Sequence, residues 1–343
     1  PRTGSVGAAD LTQLAAVAAV AIGDGRAFVN GEVVAGETAL DHAGLSPVTL
    51  QPHEGLAALS SNAYSVGVGS LVVSDLAAIV NASDRILALS LAAIGGNLSP
   101  FSAEIQSAHR SVGQQASAAR VRAFLPSLPH VSTQDPLSFR TAPQIHGALA
   151  EAVTAAAASL RLQLNSRTEN PLVDVESGRM ISGGNFQVLG LALSFEQLRL
   201  ALAHVAVASE RRISHLSVRS AALRRAGSAR VPGLIWYSAS TLVAELRHLA
   251  NPVSLNGTSL SEDIEDVASG AALALQFLER SAALTRQVLS VEAICAAEVW
   301  ADSRPSAGSG TEFPELASLA AAVTASLDLP ADDLVTAIER VLF

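Results

Sequence analysis

The chain has 343 residues, a net charge of −9 and no basic block, which argues against a nucleic-acid-binding role. Apolar residues make up 49% of it and aromatics only 4%, so the apolar content is mostly Ala, Leu and Val. That balance favours long, closely packed helices over a β-sandwich, which needs more aromatic and β-branched side chains. The single cysteine, Cys295, excludes an internal disulfide. With no histidine-rich surroundings it reads as a small buried apolar residue rather than a catalytic thiol, in a reducing, cytoplasmic compartment.

In chain order, Pro1 to Gly4 lead into a turn and do not read as a signal peptide. A chain opening on Pro is expected from a trimmed initiator or from a fragment. Leu11 to Ile22 is Ala-rich and predicts a helix ended by Gly23-Asp24-Gly25. Ala27 to Val34 places apolar residues on both sides of Asn30-Gly31, a strong hairpin signal. Glu37 to Leu45 is short helix or loop. Glu54 to Gly95 is helical in pattern, with Gly67 and Gly69 as candidate bends. Two uncharged runs, Gly55–Ser74 and Ile86–Ala103, reach the ~18 residues of a membrane span. Their Ser, Asn and Gly, and Pro100 in the second, favour helices buried in an assembly instead.

Asn97 to Pro100 is a turn, and Ser102 to Arg120 predicts one amphipathic helix with Ile105, Ala108, Val112 and Ala116 on a face. Leu125 to Arg140 is a proline-punctuated loop, longer than most loops in compact domains and therefore of functional interest. Ala142 to Asn165 predicts a helix, with Pro143 suited to its first turn. Asn170-Pro171 to Asn185 is irregular. Leu191, Phe195, Leu198, Leu202 and Val205 are spaced 4, 3, 4 and 3 apart, the seam of a long packed helix. Gly233 to Leu249 is helical, Asn251 to Ser261 is loop, and Asp263 to Ala296 predicts a long helix. Ala307 to Gly310 reads as a joint, and Pro330-Ala331-Asp332-Asp333 opens the last helix.

Taken singly, the polar residues have bland readings. Arg140 is a solvated loop arginine or a bidentate clamp for a carboxylate. Phe186, after Gly183-Gly184-Asn185, is a core plug or a pocket wall. The four carboxylates of Glu262-Asp263-Ile264-Glu265-Asp266 read as a solvated helix start. The eight histidines are scattered without metal-ligand spacing, and no metal is expected. Gly4 to Gly7 is too short for a phosphate loop.

Taken in order, the segments resemble one family. Gly4-Ser5-Val6-Gly7-Ala8-Ala9-Asp10-Leu11 is similar to the segment in which histidine and phenylalanine ammonia-lyases form their electrophile. Glu54-Gly55-Leu56 resembles a further family segment. So does Gln134-Asp135-Pro136 with Ser138 and Arg140, followed by Pro143-Gln144 and Gly147-Ala148, which is similar to the substrate loop. Glu169-Asn170-Pro171-Leu172-Val173 and Ile181-Ser182-Gly183-Gly184-Asn185-Phe186 resemble two more signatures. Ser209-Glu210-Arg211-Arg212-Ile213 is closest to the histidine type, Gln187 to the phenylalanine type, and Glu265-Asp266 with Ser269 to a late acidic run.

The resemblance implies an all-α fold of the ammonia-lyase/fumarase-like type, a long central helical bundle with a small β-hairpin excursion. Residues 1–306 form the lyase-like domain without its usual N-terminal part, and 307–343 are a C-terminal helical segment of the same domain. It implies an ammonia-lyase or 2,3-aminomutase acting on an amino acid, aromatic in side chain. The electrophile is a methylideneimidazolone, formed by cyclisation and dehydration of an Ala-Ser-Gly tripeptide and expected at Ala8/Ala9, with no metal. By position, Ala8, Ala9, Asp10, Ser60 and Glu265 fall at catalytic places. Gln134, Leu137, Arg140, Phe186 and Gln187 fall at substrate-binding places, Arg140 pairing with the carboxylate. The implied assembly is a homotetramer, with another chain or segment supplying the N-terminal part, and with neither nucleic acid nor membrane as partner.

Four departures stand out. Gly7-Ala8-Ala9-Asp10 is one residue shorter than Gly-Ala-Ser-Gly-Asp and lacks the serine. Leu137 stands where the family has tyrosine, Ser60 or Ser61 where it has asparagine, and Val267 where the histidine type has His. Leu137 makes that wall more apolar and disfavours an imidazole, whose polar atoms would lack partners. Either the tripeptide is already cyclised and written as fewer residues, or it is lost. In the second case the chain is an inactive homologue serving as a structural subunit of a hetero-oligomer.

Overall fold

The computed structural model describes residues 1–127, 133–303 and 313–343. The loop expected at Leu125–Arg140 is described only in part, and the joint at Ala307–Gly310 lies outside the described residues. The fold is mostly helical, and its residues cluster into two compact units.

The first unit comprises Pro1–Val73, Ala156–Glu196 and Pro252–Leu278. It opens with α1 (Leu11–Ala21), then β1 (Arg26–Val29) and β2 (Glu32–Ala35). The two strands pair antiparallel, with Val29 opposite Glu32. Asn30 and Gly31 both take positive φ, +52° and +88°, as a two-residue turn matched to strand twist requires. Helices α2 (Gly36–His42) and α3 (Glu54–Leu59) follow.

The helix expected across Glu54–Gly95 is interrupted at Ser60–Asn62, and α4 (Ala63–Ile94) then runs unbroken through Gly67 and Gly69. The glycines do not break it. A Cβ on Gly69 would lie 2.6 Å from Cζ of Phe195, so the missing side chain makes room for that ring. Two stretches, Glu54–Ile94 and Leu189–Arg225, are apolar and long enough to cross a membrane by length and composition. Both are partly buried within the protein.

Where irregular chain was expected after Asn170, a second hairpin forms from β3 (Leu172–Asp174) and β4 (Arg179–Ile181), Leu172 opposite Ile181. Gly178 at φ +64° closes its turn. The helix predicted from Asp263 begins only at Ala271. Ser261, Glu262 and Asp263 hold consecutive positive φ values of +53°, +56° and +66°, and Leu260 and Glu265 exchange backbone hydrogen bonds at 3.1 Å. Left-handed residues cannot continue a right-handed helix, so the acidic cluster is an exposed turn rather than a helix start.

The second unit comprises Ser74–Ala155, Gln197–Asn251 and Glu279–Phe343. It contains the rest of α4, a 3₁₀ turn at Ser99–Phe101, α5 (Ala103–Ser107), α6 (Val112–Phe124), α7 (Leu137–Arg140) and most of α8 (Ala142–Leu164). It also contains most of α9 (Leu189–Arg225) and of α11 (Ala271–Ser303), and all of α10 (Ile235–Leu249), α12 (Pro314–Ala325) and α13 (Ala331–Leu342). The seam residues of α9, Leu191, Phe195, Leu198, Leu202 and Val205, are all fully buried, as their spacing predicts. Cys295 is fully buried on α11, and burial, with Glu298 and Glu292 nearby, pushes its thiol far above the ordinary value. It is an inert core residue.

The single helix expected over Ser102–Arg120 is two. Ser111 Oγ accepts the Gln114 N–H at 3.1 Å, an N-cap that starts α6 afresh. Ile105 and Val112, placed on an apolar face by the sequence pattern, are exposed, and α6 instead buries Gly113, Gln114, Ser117, Ala118 and Val121.

Candidate active-site segments

The segment Gly4–Asp10 folds as a tight turn of the first unit. Gly4, Gly7 and Ala9 have φ of +129°, +96° and +61°. Ser5 Oγ donates to Ala9 O at 2.5 Å, and Ser269 Oγ donates to Gly7 O at 3.0 Å. The Gly270 N–H donates to Val6 O at 3.0 Å. A Cβ on Gly7 would lie 2.5 Å from Ser269 Oγ, so only glycine fits against that strut. The stretch carrying Glu265 and Ser269 is therefore hydrogen-bonded to the stretch carrying Ala8 and Ala9, within one unit.

Asp10 is fully buried and has two jobs. Its N–H donates to Ser61 O at 2.8 Å. Its carboxylate accepts the Ser65 N–H at 2.7 Å and the Ser65 hydroxyl at 2.9 Å. Ser65 lies in the first turn of α4, so a carboxylate from far away in sequence fills the capping role that Asn62, the preceding residue, ordinarily has. Asn62 is 1% exposed, and neither its Nδ2 nor its Oδ1 has a hydrogen-bond partner among the described residues. Sequence reasoning passed over Asn62. The available signal was a polar amide directly before a long apolar helix. Ser60 is buried beside it, and its Oγ accepts the Asn170 N–H at 3.4 Å.

Burial pushes the Asp10 carboxyl above the ordinary aspartate value, against the opposing pull of the Ser65 N–H and hydroxyl. A raised folded-state value means the native state binds this proton more tightly than the unfolded chain. The stability it lends is present below the ordinary aspartate range and is lost as pH rises through the raised value. Asp10→Asn therefore gains relative to the parent as pH rises from below the ordinary aspartate range through the raised value. Urea unfolding of both proteins at each end of that rise checks the sign.

Phe186 is half-buried, Gln187 is exposed with its Nε2 donating to Val267 O at 3.2 Å, and Glu265 is half-buried in its turn. These residues lie with Ala8, Ala9, Asp10 and Ser60 in the first unit.

Gln134, Leu137 and Arg140 belong to the second unit. Gln134 and Arg140 line one cleft of about 340 Å³, together with Asn97, Thr133, Asp135 and Thr141. Asp135 shapes its wall by accepting the Asn97 N–H at 2.6 Å. Arg140 closes the short helix α7, and its Nε has no hydrogen-bond partner among the described residues. Leu137, by contrast, is 60% exposed at the start of that helix. Such a cleft, with a half-buried guanidinium beside an amide, suits a small anion such as a carboxylate. Among the described residues no group of three or more His, Cys, Asp or Glu is placed to hold a metal.

A methylideneimidazolone does not fit the residues at Gly7–Asp10. Ring closure attacks a carbonyl with the N–H two residues on, and the exocyclic methylidene needs a leaving hydroxyl on the middle residue. In Gly7-Ala8-Ala9 and in Ala8-Ala9-Asp10 the middle residue is alanine. The Asp10 N–H is also already committed to Ser61 O.

The family model described as aromatic amino acid lyase matches residues 1–322. A histidine ammonia-lyase from Stigmatella aurantiaca is 35% identical over 328 residues, covering 91% of this chain and 64% of that protein. The chain thus spans less than two thirds of the length of this relative. A tyrosine aminomutase from Streptomyces globisporus superposes with a TM-score of 0.86 at 27% identity, covering 100% of this chain and 71% of the other. An ergothioneine-degrading ergothionase from Treponema denticola gives a TM-score of 0.86 at 25% identity, with the same coverage of 100% and 71%. Together with the helical fold, the turn at Gly4–Asp10 and the Arg140 cleft, these matches lead to one conclusion: the chain belongs to the aromatic amino acid lyase family.

Proposed function

We propose that this chain binds an aromatic amino acid by its carboxylate, on the scaffold of the ammonia-lyases and 2,3-aminomutases, without making the electrophile itself. The observation that carries the reading is the Arg140 guanidinium in the cleft with Gln134, its Nε free of partners among the described residues. By the family resemblance, Leu137 in the place of a tyrosine favours an apolar over an imidazole side chain. A cytoplasmic homotetramer is the proposed assembly.

Arg140→Met tests the clamp. A charge-assisted hydrogen bond contributes about 1.5–3 kcal/mol, so affinity for L-phenylalanine falls roughly 10- to 100-fold in calorimetric titration. Unchanged affinity in the variant contradicts the proposal.

The second reading, an active ammonia-lyase or 2,3-aminomutase, is favoured by the retained order of substrate-loop residues and by the family itself. It needs an electrophile from outside Gly7–Asp10, and with it another chain or segment completing the site. Release of a 2-enoic acid, or formation of a β-amino acid, from an aromatic amino acid by the protein purified together with that completing chain or segment supports this reading. Binding without either product supports the first.

A further inference from the structure

Resting on the amino-acid-binding reading, we infer that Arg212 is the positioning residue of the cleft, holding α7 so that Arg140 faces a carboxylate. Arg212 lies on α9 and is fully buried. Its Nε and Nη2 donate to the two oxygens of Glu292 at 2.6 and 2.8 Å, and Ser90 Oγ donates to Glu292 at 2.7 Å. The remaining edge of the guanidinium is turned to α7: Nη1 donates to the Ser138 carbonyl at 2.9 Å.

That contact matters because α7 is one turn of four residues, too short to hold itself. Two anchors fix it. One is Phe139, fully buried, its ring centroid 5.9 Å from that of His215. The other is the Arg212 donor, two residues before Arg140. A bidentate pair fixes the plane of the guanidinium, so the direction of the third bond is set by Glu292 rather than by the loop. A buried pair can often be replaced by apolar residues without loss of stability. Here its free donor reaches the one helix that carries the clamp, which a merely structural pair has no need to do.

The test separates positioning from folding. The double substitution Arg212→Met with Glu292→Leu removes both charges and leaves neither unpaired, and Arg212→Lys keeps a cation but loses the fork. Each full-length protein is titrated with L-phenylalanine and with 2-phenylethylamine, which lacks the carboxylate, and its thermal transition is recorded. The expected result is a parent that prefers the carboxylate ligand. In the folded variants that preference drops roughly tenfold or more, while affinity for the amine is unchanged. A folded variant with the parent's full preference overturns the inference. Loss of the fold in both variants also overturns it, since the pair is then structural only. A parent without any carboxylate preference instead refutes the binding reading on which the inference rests.

Discussion

Asp84→Ala is expected to lower the stability of the protein by about 3–5 kcal/mol, the range seen when one member of a buried ion pair is removed. Asp84, on α4, is fully buried and serves three partners. Ser117 Oγ on α6 donates to it at 2.6 Å, Arg120 Nε at 2.7 Å, and His146 Nδ1 on α8 lies 2.8 Å from it. One carboxylate thus links three helices of the second unit. Without it the Arg120 guanidinium, its side chain only 30% exposed, and the fully buried His146 lose their shared acceptor. Asp84→Asn keeps the shape and one acceptor and costs less. Urea unfolding of both variants gives the comparison, and a loss under about 1 kcal/mol for Asp84→Ala would rank this network with exposed ion pairs.

Gly147→Ala is the second large effect, and it comes from geometry rather than charge. Where α8 crosses α6, a Cβ on Gly147 would stand 2.4 Å from Gln114 N and 2.6 Å from Gln114 Cα. The reciprocal position is as tight, with a Cβ on Gly113 2.3 Å from Gly147 O. The obstructing atoms are backbone, so no rotamer change relieves the contact and the helices must separate. Overpacking of this kind costs typically about 1–3 kcal/mol, and the rigid backbone places this case at the upper end. Gly190→Ala, in the first turn of α9 with open space around the added carbon, is the control and shifts stability little. Thermal unfolding of the two variants side by side decides the matter.

Much of the helical frame is legible in the sequence because it rests on local periodicity. The α9 seam and the Asn30-Gly31 hairpin need only neighbours a few residues away. The errors arise where a local pattern is interrupted by a partner distant in sequence. Glu262 and Asp263 look like a helix start, yet the turn at Leu260–Glu265 holds them left-handed. Ser111 looks like one more polar residue in an amphipathic helix, but it bonds both Gln114 N and Glu151 and begins a new one. The second hairpin was missed because its strands are only three residues long.

The candidate site divides in the same way. Gln134 and Arg140 were identified by resemblance and do share a cleft. Asp10 as a cap for a helix 55 residues on, the Asn62 amide left without partners among the described residues, and Arg212 tied to Glu292 across 80 residues were not legible. Each depends on long-range packing that no spacing rule encodes.

The intact mass of the purified protein tests most directly whether the chain lacks an electrophile of its own. The mass is expected to equal that of the encoded sequence, with Ala8, Ala9 and Asp10 as ordinary residues. A mass lower by the water lost on cyclisation and dehydration, localised by peptide mapping to Gly7–Asp10, would contradict it.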